Sequence, residues 1–89
     1  MKVRELIEEL QKIDQELEII LSGDEEGNRF SPLDENYSIG YYSQENSWSG
    51  EFYSKEEVEE EILPDEEITL QEFIEETNSK KCITLYPLN

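Results

Sequence analysis

Glu56, Glu57, Glu59, Glu60 and Glu61 fill five of six consecutive positions. Six helical residues span about 9 Å, so five carboxylates amount to roughly one charge per 1.8 Å. Duplex DNA carries one negative charge per about 1.7 Å of axis. At about 100° per residue the five side chains cover an arc of roughly 200°. Val58 and Ile62 fall together on the opposite side, so the helix can dock through them and turn a phosphate-like row of charge outward. Asp65, Glu66 and Glu67 prolong the run. Like charges at i,i+4, Glu56 with Glu60 and Glu57 with Glu61, weaken such a helix slightly. Two readings fit these residues: imitation of a nucleic-acid backbone, or the solvated face of a very soluble protein.

Other constellations carry less chemistry. DEEGNRFSPLDE (24–35) sets Asp24, Glu26, Asn28 and Glu35 at positions 1, 3, 5 and 12 of a twelve-residue loop, as in a calcium-binding EF-hand. Position 6, which needs Gly, is Arg29, position 9 is Pro32, and strand-like sequence follows Glu35. A turn with ordinary surface acids is the expected reading, and no cofactor or metal site is assigned. Cys82 is the only Cys and the chain has no His, which removes a Cys–His or Ser–His nucleophile. Among 24 acids, chance carboxylate pairs are guaranteed and do not indicate a glycosidase. No enzyme activity is expected. Of the aromatic group Tyr37, Tyr41, Tyr42, Trp48, Phe52 and Tyr53, Tyr41 and Phe52 are expected in the core. Trp48, in a polar loop, is an interface candidate, because Trp and Tyr are enriched at binding hot spots.

The composition bounds the partner. Seven Lys and Arg against 24 Asp and Glu give a net charge of -17 over 89 residues. The excess is uneven: residues 45–79 hold 13 acids and one base, Lys55. Such a chain is repelled by nucleic acid and by anionic membranes, so its natural partner is a basic protein. Leu, Ile, Val and Phe number 23, about a quarter of the chain, above the level expected of disordered sequences. The N-terminus has no apolar signal segment and no run is long enough to span a membrane, which implies a soluble protein of the cytoplasm. A domain this small buries only about 60% of its unfolded surface, and a homodimer would supplement so thin a core.

Period and punctuation supply the elements. Val3, Leu6, Ile7, Leu10 and Ile13 form one stripe of an amphipathic helix over 2–13. LEIILS (17–22) has the composition of a buried strand. Residues 23–28 read as a turn, and Pro32 and Asn36 mark further loop. YSIGYYS (37–43) alternates as a second strand, with Tyr37, Ile39 and Tyr41 on one face, and EFY (51–53) starts a third. Ser54 with Glu57 is a capping-box pattern that opens a short helix, which Pro64 is expected to stop after Leu63. Thr69 with Glu72 opens another, reaching about Asn78. CITLYP (82–87) is the last strand, with Ile83 and Leu85 facing one way and Cys82, Thr84 and Tyr86 the other. The order α-β-β-(β)-α-α-β describes one α+β domain, residues 1–89, with a small, mostly antiparallel sheet of three or four strands.

VRELIEELQKID (3–14), EIILSGDEEGN (18–28), FSPL (30–33) and CITLYP (82–87) resemble a family of small, uncharacterised phage-encoded proteins. The resemblance covers about half of the chain. It implies a small α+β phage protein and supplies no catalytic residues. Residues 45–79 are more acidic than that pattern, and a specific function could have been added there. In size and acidity the chain is also similar to phage anti-restriction and anti-CRISPR inhibitors that imitate DNA. The expectation is therefore an acidic inhibitor that binds a basic nucleic-acid-handling protein, such as a CRISPR effector, a restriction enzyme or another nuclease. Glu56, Glu57, Glu59, Glu60, Glu61, Asp65, Glu66, Glu67 and Trp48 are its candidate contacts. The alternative is a non-catalytic phage accessory or assembly module whose acidity serves solubility.

Overall fold

The computed structural model describes residues 1–88. Helix α1 (Val3–Leu10) leads to a short strand β1 (Ile20–Ser22), a long strand β2 (Phe30–Gln44) and β3 (Gly50–Ser54). A helical segment α2 (55–66) follows, then α3 (Leu70–Thr77) and β4 (Lys80–Pro87). The fold is α+β, and every strand pairing is antiparallel.

Strand β2 organises the sheet. Its start pairs with β1, Leu21 opposite Ser31, and its end with β3, Tyr41 opposite Tyr53. Strand β4 runs along it from Leu33 opposite Pro87 to Tyr42 opposite Lys80. Residues 40–42 are thus flanked on both sides. Gly40 is required there, because a Cβ would collide with the Tyr53 carbonyl and the Phe52 ring.

Residues 30–36 correct the expectation of a loop. The turn-forming residues produce a bulge within the strand: between Leu33 and Tyr37 the register with β4 shifts. Asp34 Oδ1 accepts from the backbone N–H of Asn36 at 2.9 Å and folds this excursion locally.

Helices α2 and α3 cover one end of one sheet face. Strand alternation puts Tyr37, Ile39 and Tyr41 on that face, but only Tyr41 is buried. Val58 of α2 and Phe73 of α3 complete the buried hydrophobic core, with Tyr53, Ile62, Leu63, Ile68, Leu70 and Ile74 packed around it. Tyr41 and Tyr53 both meet the Phe73 ring edge-on, at centroid distances of 6.2 and 5.4 Å. Phe52, expected in the core, is only half-buried, because its position faces the side without helices.

The N-terminal third departs further. Helix α1 ends at Leu10, not Ile13, and none of its residues is buried. The run 17–22, which reads as a buried strand, narrows to three paired residues with only Leu21 half-covered. Leu10 and Ile13 line one groove with Leu17, Ile19 and Ile20, yet all of these side chains stay exposed, so their composition and their environment disagree.

Candidate functional site

The acidic run lies on α2, and local chemistry explains how it is held. Ser54 caps the helix: its Oγ accepts the Glu57 N–H at 3.1 Å. The first turn, Lys55–Glu57, is α-helical. Val58–Ile62 then forms a π turn, in which Leu63 N–H donates to the Val58 carbonyl, and an α turn resumes over Leu63–Glu66. Pro64 therefore does not stop the helix, contrary to its usual effect. In a regular α-helix the proline ring would clash with the Glu60 carbonyl and leave it without a donor. A wider turn just before the proline is one of the local adjustments that absorb such a residue. The end comes at Glu67, in the left-handed conformation at φ 55, with Ile68 N–H returning to the Leu63 carbonyl at 3.3 Å.

The π turn also alters the inward face. Val58, completely buried, is the anchor, and Ile62 and Leu63 both pack around the same core. Glu56, Glu57, Glu59, Glu60 and Glu61 are exposed, as are Asp65, Glu66 and Glu67. Seven of these acids thus project from one helical segment whose opposite side is fixed to the core, and Glu67 caps its end. The one ion pair among the described residues is Lys12–Glu9 on the N-terminal segment, at 3.1 Å, so no base neutralises the α2 carboxylates.

Helix α3 adjoins the same core and carries further acids. Its capping box is complete: Thr69 Oγ1 accepts from Glu72 N–H at 3.2 Å and the Glu72 carboxylate accepts Thr69 N–H at 3.1 Å. Glu72 is thereby committed to the helix start, and Glu75 accepts from Gln71 Nε2 at 3.1 Å. Glu75 and Glu76 are exposed and absent from the candidate set read from sequence, although the run Glu72–Glu75–Glu76 signals them.

Trp48 lies apart from this row. It is 83% exposed in the turn between β2 and β3. Asn46 Oδ1 holds that turn by accepting the backbone N–H groups of Trp48 and Ser49 at 3.0 and 2.8 Å. The five residues of β3 separate it from α2, a distance of about 17 Å. A partner reaching both Trp48 and the start of α2 must extend along β3.

The loop with EF-hand spacing is a hairpin turn. Gly23 N–H donates to the Arg29 carbonyl at 2.7 Å, and Gly27 takes φ 74. Asp24 accepts from Asn28 twice, from the backbone N–H at 3.0 Å and from Nδ2 at 3.1 Å. These hydrogen bonds, the backbone one foremost, hold the Asp24 carboxyl below its usual range. Glu35 lies within β2 instead of entering a helix. Cys82 is half-buried and unpaired on β4.

No helix among the described residues is long and apolar enough to cross a membrane. Comparison with protein-family models, curated proteins and solved structures yields no match.

Proposed function

We propose that this protein is an acidic binding module that occupies the nucleic-acid site of a basic protein, acting as an inhibitor like the phage-encoded DNA mimics to which it is similar in size and acidity. The observation that carries this reading is the α2 helix: seven exposed carboxylates, with Glu67 at its cap, on a segment anchored through the fully buried Val58. A charge row on a fixed support attracts a basic groove at long range and then meets it without reorganising. The target class is a nuclease, restriction enzyme, CRISPR effector or other DNA-handling protein, whose phosphate-binding Lys and Arg residues would face the α2 carboxylates. Catalysis is not part of this function.

The accessory-module reading draws on a different observation, the exposed apolar stripe of α1. Affinity capture from bacterial lysate separates the two. The bait is the full chain, with its Glu56→Gln, Glu57→Gln, Glu60→Gln and Glu61→Gln variant as control. Recovery of a basic nucleic-acid-handling protein that duplex DNA displaces, and that the variant fails to retain, supports the inhibitor. Equal capture by both baits, insensitive to DNA, supports the accessory module.

A further inference from the structure

The chain exposes more surface than a folded monomer of its mass. Its accessible area is 7548 Å². A monomeric protein of 10.5 kDa exposes about 5,400 Å². Its radius of gyration is 15.9 Å, where about 12 Å is expected of a compact chain of this length. The excess, about 2,100 Å², coincides with apolar side chains that lack cover.

Two surfaces hold nine of the sixteen exposed large hydrophobic side chains among the described residues. On α1 and the turn that follows it the whole stripe is open: Val3, Leu6, Ile7, Leu10 and Ile13 are 36–59% exposed. On the sheet, the half of the helix-bearing face beyond Tyr41 is uncovered. There Tyr37 stands opposite Leu85 and Ile39 opposite Ile83, all at least 42% exposed. Met1, Lys2 and Val3 line a groove with Ile39 and Ile83, so the helix begins beside the open sheet face. One surface is an amphipathic helix without a floor, and the other is a sheet without a helix.

We propose that a second copy of this chain covers both, α1 of each protomer lying on the open sheet face of its partner. The arrangement is reciprocal and closes as a two-fold dimer. The area fits: obligate homodimers bury about 2,000–5,000 Å² in total, or about 1,000–2,500 Å² per chain, whereas a standard complex removes about 800 Å² from each partner. The charge fits as well. Residues 1–22 and 80–87 together hold five bases and six acids, so two chains of net charge -17 can meet here at near balance. A basic foreign partner would be drawn instead to residues 45–79, with 13 acids and one base. Helix α2 covers the Tyr41 end of the face and stays outside the dimer contact.

Sedimentation analysis of the full chain at moderate salt tests this. The expected species has twice the 10.5 kDa chain mass, and its melting temperature rises with protein concentration. The double substitution Leu6→Glu and Leu10→Glu should halve the sedimenting mass, as should Ile39→Lys with Ile83→Lys. The near-ultraviolet dichroism of Tyr41, Tyr53 and Phe73 reports whether each variant keeps its core. A wild-type chain that sediments at 10.5 kDa at the highest attainable concentration overturns the proposal. So does a folded α1 variant that remains dimeric. Should the variants unfold, a wild-type melting temperature independent of concentration overturns it equally.

Discussion

Val58→Ala probes the support on which the acidic row depends. Val58 is completely buried and packs in one core with Tyr41 of the sheet and Phe73 of α3, the three buried hydrophobic side chains among the described residues. Removing two methyl groups forfeits about 1.6 kcal/mol of transfer free energy. The cavity left behind adds to this, for a total of about 2–3 kcal/mol. A domain of this length has about 5–13 kcal/mol in all. At about 4–8 °C per kcal/mol, the melting temperature should fall by about 10–20 °C. Thermal and urea unfolding, followed by near-ultraviolet dichroism of the tyrosines, measures it. A loss below about 0.5 kcal/mol, the range of ordinary surface substitutions, would show that α2 is not anchored through Val58. The account of a rigidly presented charge row would then fail.

Three further outcomes follow from the same structure. Thr69→Ala removes a capping box in which both hydrogen bonds are formed, and should cost about 1 kcal/mol in urea unfolding; no measurable change would mean that the α3 start does not limit stability. Added monovalent salt should raise the melting temperature, because a net charge of -17 is screened while only one exposed ion pair among the described residues is weakened; a fall between low and moderate salt refutes this. The Asp24 carboxyl is held low in the folded chain, so its contribution to the 23–29 turn is fully present above the unfolded Asp pKa. That contribution disappears as pH falls through the depressed folded value. The Asn28 amide resonance should therefore be unchanged between pH 7 and 5 and titrate below the usual carboxylate range; a midpoint at or above that range contradicts the hydrogen-bond assignment.

Much of the architecture was readable because local chemistry and fold agree. The Thr69–Glu72 box, the Ser54 cap, the alternation of 37–43 and of 82–87, and the Val58/Ile62 inward pair all appear as their spacing implies. Where reading failed, a local signal was real but its consequence was set by neighbours. Asp34 and Asn36 do break regular pairing, yet β4, paired with Leu33 before the bulge and with Tyr37 after it, carries the strand across. Pro64 does forbid a regular α turn, yet a π turn admits it where Ile62 and Leu63 gain core contacts. The α1 stripe and LEIILS state that apolar surface must be covered, but no residue in the chain states by what. Trp48 and the acidic run are close in sequence, and the extended path of β3 sets them about 17 Å apart.

The central claim is that the α2 carboxylates act in binding and not in folding. Its most direct test is the association rate with the captured basic target, measured against salt for wild type and for the variant with Gln at 56, 57, 60 and 61. Glutamine keeps helix propensity nearly unchanged and removes four like charges, so the variant should be at least as stable as wild type. Its association should slow by about tenfold or more at low salt, and the salt dependence should flatten, with little change in dissociation. An equal rate and an equal salt slope for the two proteins would contradict the account and leave α2 as a solvated face.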